Sequence, residues 1–271
     1  MPSLTLADHA IYYEVHGQGH PLVLISGLGT SHLFWWKQIA PLSAHFRLIT
    51  LDNRGIADSS RVQAAFSIAD MADDVAALID HLKLGACFVL GISMGGFVAA
   101  TFALRHAGRV RKLILASTSA GGPKHKVASA EILKMLIDTG GQDPEAYTRL
   151  VYTALAGTGY MQKHPEDLDR IVANALAKPL SPETYLYQLN AINGYMTTDG
   201  VDDALDRIDV PTLVLHGDAD PLVPLANGQN VARKIKKADL KIYPGGGHLP
   251  PIEVTTRFNG DVLDFLNAPT P

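Results

Sequence analysis

A single cysteine, Cys87, stands in the 271 residues, so no disulfide can close within the chain and nothing in the cysteine count points to an oxidising compartment. It lies in the apolar run 86–90 and reads as a small buried hydrophobe rather than a reactive thiol. Long hydrophobic runs are missing too: the longest, such as 86–90 and 113–116, fall far short of the ~18 residues of a spanning helix. Runs of five or six like charges are absent and the net charge is -4, which removes the electrostatic footprint that nucleic acid or anionic lipid would require. Glycine (24) and proline (16) together stay well below the ~25–30% of low-complexity chains. The stretch 1–13 lacks a basic start followed by an apolar core, so no signal peptide is expected and the cytoplasm is the default location.

What is present is a globular composition, 47% hydrophobic and 18% charged, at a length suited to one large domain or one domain with an insertion. Short β-type runs recur at Pro21 to Ile25, Arg47 to Leu51, Ala86 to Leu90, Lys112 to Ala116, Pro211 to His216 and Leu240 to Tyr243, with helical patterns between them. Apolar runs without alternation predict parallel strands covered on both faces. Leu4 to Leu6 and Ala10 to Val15 read as an antiparallel pair at the sheet's edge. From Ser67 to Leu82, apolar residues at 68, 71, 75, 78, 79 and 82 with Ser67 and Asp70 as a capping pair predict an amphipathic helix. Asp70, Asp73 and Asp74 suit the first turns of that helix better than a metal site.

Residues 121–198 interrupt the strand rhythm and read as a helical insertion, with 1–120 and 199–271 as the core. Asp143-Pro-Glu145, His164-Pro-Glu166 and Ser181-Pro-Glu183 each place proline at a first helical position with an acid beside it, giving three helix starts. Six of the nine tyrosines (147, 152, 160, 185, 187, 195) and three of the six methionines (135, 161, 196) fall here. They suit either an adaptable lid over a pocket or the glue that holds the inserted helices to the core.

The chemistry is concentrated at Phe88-Val-Leu-Gly-Ile-Ser-Met-Gly-Gly-Phe97, a strand, then Gly91-x-Ser93-x-Gly95, then a helical pattern from Val98 to His106. A sharp strand-to-helix turn strains the backbone of the serine and forbids side chains two residues away. It exposes Ser93 at a helix N-terminus, where free N–H groups favour developing negative charge. A serine hydroxyl needs a base, and that base needs a carboxylate to orient it. Late strands run into Gly217-Asp-Ala-Asp-Pro-Leu-Val-Pro224 and Pro244-Gly-Gly-Gly-His248, offering Asp218 or Asp220 as the acid and His248 as the base. Of the 11 histidines only His248 follows a flexible glycine loop after a late strand. His16 and His20 have i,i+4 spacing, but Gly17 and Gly19 argue against a helical metal pair. His81 and His106 end helices, where a protonatable ring suits the dipole.

With these residues in view the chain resembles the α/β-hydrolase superfamily over nearly its whole length. Gly91 to Gly96 resembles the nucleophile elbow, Asp52-Asn-Arg-Gly55 with Ser59 the D-x-R-G-x-G-x-S loop, Gly217-x-x-Asp220-x-x-x-Pro224 the acid motif, and Gly247-His248 with Glu253 the histidine loop. The resemblance implies a mostly parallel, doubly covered α/β sheet with a helical cap. It implies Asp220 rather than Asp218 as the triad acid, with Asp218 shaping the turn, and an oxyanion hole formed by the amides of Met94 and Leu28. Gly27 and Gly29 would let the backbone approach a substrate closely; a dinucleotide fingerprint would need Gly or Ala where His32 stands. The sequence departs from the commoner pattern at Ser26, in place of a histidine, and at Ala57, in place of a glycine. Gly27-Leu-Gly-Thr30 is similar to enol-lactonases of aromatic catabolism. Trp35 and Trp36 are candidates for the pocket wall or for anchoring a helix to the sheet.

The expected activity is hydrolysis of a small-molecule carboxylic ester or lactone through an acyl-enzyme, with no cofactor and no metal. Rival readings on the same residues are a C–C bond hydrolase, a perhydrolase, which the Leu28 position disfavours, and a small-molecule receptor that retains the triad.

Overall fold

The computed structural model describes residues 2–137, 141, 143–198 and 200–269. Eight strands, β1 (Ser3–Thr5), β2 (Ala10–His16), β3 (Pro21–Ile25), β4 (Arg47–Leu51), β5 (Cys87–Ile92), β6 (Val110–Ala116), β7 (Thr212–Gly217) and β8 (Ala238–Tyr243), form one sheet in the order β1-β2-β4-β3-β5-β6-β7-β8. The pairs β1·β2 and β2·β4 are antiparallel and all others parallel. The expected strands are all present, but β5 extends two residues beyond Leu90, which carries the sheet to the residue before Ser93.

Successive side chains along the central strands alternate between two apolar layers, as the period of two requires. Val23, Ile25, Val89, Leu113, Leu115 and Val214 pack on one face, against α2 (Ile68–His81) and α3 (Met94–Arg105). Leu22, Leu24, Phe88, Leu90, Ile114 and Leu215 pack on the other, against α1 (Trp36–Ser43) and α11 (Thr255–Asn267). Because both faces are apolar, the strands read as continuous hydrophobic runs. Helix α2 starts at the expected capping box, in which Ser67 Oγ accepts from the Asp70 amide and Asp70 Oδ2 accepts from the Ser67 amide.

Between β6 and β7 the described residues hold helices and no strand: α4 (Ala130–Ile137), α5 (Pro144–Leu155), α6 (Tyr160–Lys163), α7 (Pro165–Ala177) and α8 (Pro182–Thr197). The three Pro-marked starts open α5, α7 and α8; Asp143 and Ser181 accept from amides of the first turn, whereas His164 provides no side-chain cap. Position 199, the expected return to the core, lies outside the described residues. Helices α9 (Leu225–Lys234) and α10 (Pro250–Glu253) complete the chain order. No helix among the described residues is long and apolar enough to cross a membrane.

Candidate active site

Ser93 sits between β5 and α3 with φ 55 and ψ -124, a left-handed backbone on a residue that carries a Cβ. The strain is held by tight packing. A Cβ on Gly91 would come within 2.8 Å of Ala99 Cβ and closer still to the Gly95 carbonyl oxygen. One on Gly95 would fall 2.6 Å from the Ser26 carbonyl oxygen, and one on Gly96 would run into the Thr118 side chain. The turn is tied by the Ser93 amide donating to Ala116 O (3.0 Å) and by Thr118 Oγ1 donating to Ser93 O (2.8 Å). Helix α3 therefore begins at Met94, four residues before the pattern that announced it. Gly95 and Gly96 are weak helix formers, and burial of the helix on nearly all sides erases its amphipathic signal.

Asp220 and His248 come together in the loops after β7 and β8. The His248 ring donates through Nδ1 to Asp220 Oδ2 (2.8 Å), and Asp220 Oδ1 accepts from the amides of Leu222 (2.9 Å) and Val223 (2.8 Å). Both residues are buried, at 6% and 4% exposure, whereas Ser93 is half-buried. With Nδ1–H committed to a carboxylate, Nε2 is the ring nitrogen left to accept a proton. Ser93 Oγ makes no hydrogen bond to His248 or to any other described residue; such bonds are commonly long without substrate and tighten when it binds. Asp218 instead accepts from the Gly245 amide (2.6 Å) and pins one loop to the other.

The loop after β3 runs beside the serine, and a Cβ on Gly27 would lie 3.2 Å from Ser93 Cβ. It is tied across itself by Ser26 Oγ donating to Thr30 O (2.9 Å) and Thr30 Oγ1 donating to Gly27 O (3.0 Å). Ser26 thus has a structural bond of its own. Among the described residues the amides of Leu28 and Met94 have no protein acceptor, while the Gly29 amide is taken by Gln188 Oε1 (2.8 Å). Gln188 is fully buried on α8 and its Nε2 is unpaired. Ala57 adopts φ 47, a left-handed backbone that a glycine would take without strain.

Three further arrangements lay beyond sequence reasoning. His32 donates its backbone amide (2.6 Å) and ring Nδ1 (2.9 Å) to Asp52 Oδ1; burial opposes protonation, but the Asp52 hydrogen bond and nearby carboxylates hold its pKa above the usual histidine value. His216, fully buried, donates Nε2–H to Val223 O (2.7 Å) and lies 3.6 Å from Asp220 Oδ2; burial, against the pull of Asp220, lowers its pKa. Glu253 accepts three backbone amides around His248. Among the described residues, His32, Asp52 and Asp58 could offer a metal one ligand atom each. Asp52 is already occupied by His32 and Asp58 by Lys178 Nζ (2.6 Å), so the set is satisfied without an ion.

The other acidic and histidine candidates have structural partners. Asp73 binds Arg105 and His106, Asp74 binds Arg54 and His9, His81 meets the Tyr13 hydroxyl, His16 meets Glu14, and the His20 ring packs on Phe88. Cys87 is fully buried, which pushes its thiol up to about 11. The tyrosines divide. Tyr147 and Tyr185 donate to Leu136 O, Tyr160 to Asp167 and Ile252 O, and Tyr195 stacks on Phe97. Among the described residues the Tyr152 hydroxyl has no hydrogen-bond partner and is pushed up to about 12 by burial; the residue lines a cleft with Trp36, Ala57, Asn174 and the Gly29–Ser31 loop. Ser93 and His248 do not line that cleft. Trp35 is fully buried in the core, so one tryptophan anchors and the other, Trp36, lines the cleft.

The chain matches the alpha/beta hydrolase fold family over residues 20–254. It is 32% identical over 260 residues to "Putative carbamate hydrolase RutD" of Variovorax paradoxus (strain S110), covering 94% of this chain and 96% of that one. Among solved structures, the enol-lactonase from Burkholderia xenovorans LB400 superposes with a TM-score of 0.86 at 27% identity, covering 98% of this chain and 100% of the other. An esterase from Rhodococcus sp. ECU1013 gives the same TM-score and identity, with 98% of each chain covered.

Proposed function

The chain belongs to the alpha/beta hydrolase fold family, and on that premise we propose that it is a serine hydrolase that cleaves a small carboxylic ester or lactone through an acyl-enzyme. The observation that carries the reading is the 2.8 Å bond from His248 Nδ1 to Asp220, which leaves Nε2 free to act as a base, and the strained, half-buried Ser93 follows the end of β5 as Asp220 and His248 follow the ends of the parallel strands β7 and β8. Ser93 Oγ attacks the substrate carbonyl while His248 takes its proton, and Asp220 orients the ring and stabilises the imidazolium. The oxyanion is received by the Met94 and Leu28 amides, the former at the N-terminus of α3, where the helix dipole favours negative charge. His248 returns the proton to the leaving group, and water repeats the sequence in reverse to free Ser93. This scheme uses no cofactor and no metal. Residues 121–198 act as a cap that excludes water and selects the substrate.

A carbamate is the second reading, favoured by the 32% identity to the Variovorax protein over 94% of this chain. It asks the same residues to attack a carbonyl that bears nitrogen. A panel of p-nitrophenyl esters, lactones, carbamates and β-diketones, assayed with wild type and Ser93→Ala, separates the substrate classes. Loss of a triad nucleophile costs about 10⁴ to 10⁶ in kcat, and wild-type turnover by pure Ser93→Ala would overturn the mechanism.

A further inference from the structure

The histidine loop carries a brace that reaches into the helices after β6. Glu253 Oε2 accepts from the amides of Gly247 (2.9 Å) and Gly157 (2.7 Å), and its Oε1 accepts from the amide of Leu249 (2.9 Å). The amide between them, that of His248 itself, donates to the carbonyl of Leu155 (2.8 Å), the last residue of α5. Three consecutive amides, 247 to 249, are thus held, two by one carboxylate and one by the end of a helix. The fit leaves no slack. A Cβ on Gly157 would lie 2.8 Å from Glu253 Oε2 and closer to the Gly245 carbonyl, and one on Gly247 would collide with the backbone of 155–157.

A carboxylate has four lone-pair sites and no donor, so it can receive all three amides without conflict. A carboxamide would keep one oxygen and turn N–H against N–H at the other terminus; leucine would keep nothing. We propose that Glu253 is a positioning residue that fixes the backbone on both sides of His248 and joins the helices after β6 to that loop. The brace ties the backbone that carries His248 to Leu155 and Gly157 at the end of α5. Naming His248 as the base rests on the hydrolase reading above; the brace itself does not.

The test uses the full chain and the variants Glu253→Leu and Glu253→Gln, each with a melting curve. Three readouts follow: the His248 Nδ1 proton resonance, hydrogen exchange at the amides of Gly157, Gly247 and Leu249, and kcat with KM on the best substrate of the panel. Glu253→Leu should lose the Nδ1 resonance and exchange all three amides faster together. Its kcat should fall by about 10²-fold, the scale of a small misplacement of a reacting group, with KM little changed. Glu253→Gln should recover part of each effect. A Glu253→Leu protein with a wild-type Nδ1 resonance and wild-type exchange at Gly157 would overturn the proposal, as would activity losses in both variants that only track melting temperature. If Glu253→Leu does not fold, Glu253→Gln carries the same comparison against wild type. If wild type shows no turnover dependent on Ser93, the hydrolase reading falls, while resonance and exchange still decide the role of Glu253.

Discussion

A Cβ on Gly91 would stand closer than 3.0 Å to the carbonyl oxygen of Gly95, so the backbone of one glycine that flanks Ser93 leaves no room for a side chain on the other. Gly85, in contrast, faces nothing within 4 Å. Gly91→Ala should therefore destabilise the protein by at least the ~1–3 kcal/mol typical of overpacking, and Gly85→Ala should change stability by no more than ~0.5 kcal/mol. Urea unfolding of the two variants beside wild type checks the contrast. Equal midpoints would mean that the elbow can relax.

The two aspartates of the acid loop should separate in the same way. Asp220 holds the ring of His248, so Asp220→Asn should cost on the order of 10⁴ in kcat, as triad-acid substitution does. The Asp218 carboxylate accepts from the Gly245 amide and has no bond to His248 among the described residues. Its change to Asn should leave kcat within about tenfold and lower the melting temperature slightly. Steady-state kinetics of both variants decide it, and the reverse order would reassign the acid.

Two buried histidines should mark the pH dependence of stability with opposite signs. His216 has its pKa lowered, chiefly by burial, so the unfolded chain takes up its proton first. Its contribution is complete above the unfolded value of ~6.5 and is lost as pH falls through the lower folded value. For His32, burial is outweighed by Asp52 and the pKa is raised. That contribution is complete below ~6.5 and is lost as pH rises through the higher folded value. Unfolding free energies measured across pH should thus flatten on the acid side in His216→Gln and on the alkaline side in His32→Gln. Slopes identical to wild type in either variant would contradict the assignment.

Two tyrosines of the helices after β6 offer a further contrast. Tyr185 donates its hydroxyl to Leu136 O, whereas Tyr152, which lines the cleft beside the Gly29–Ser31 loop, has no hydroxyl partner among the described residues. Tyr185→Phe should cost roughly 1 kcal/mol, the net worth of one hydrogen bond, without reordering substrates. Tyr152→Phe should leave the melting temperature near wild type and change the ranking of acyl groups in the panel. Paired kinetics and melting curves read both effects, and a destabilised Tyr152→Phe with unchanged ranking would make this residue glue as well.

What the sequence made legible was local. The Ser67–Asp70 capping box, the Pro-marked starts of α5 and α8, and the glycines around Ser93 each act within a few residues, and each leaves a pattern that spacing reveals. The doubly apolar strands were legible for a similar reason, since burial on both faces removes alternation. Contacts that cross the chain left no such trace. Gln188 reaches Gly29 across 159 positions with no signal in its residue type, and Glu253, marked by the histidine loop, reaches Gly157 across 96, a partner its spacing does not reveal. His216 reads as one more residue of a strand until the fold places it beside Asp220. The same holds for Ala57, whose left-handed backbone follows from the loop that encloses it.

The most direct test of the account counts product against sites. An acyl-enzyme route predicts many turnovers per titrated Ser93 with an activated ester, with or without an initial burst of leaving group equal to the number of sites, and none from Ser93→Ala. Stopped-flow release of p-nitrophenol measures both numbers in one trace. Release that stalls near one equivalent across esters, lactones, carbamates and β-diketones would contradict catalysis and make the protein a receptor that is acylated once; continued release proportional to Ser93 is the predicted result.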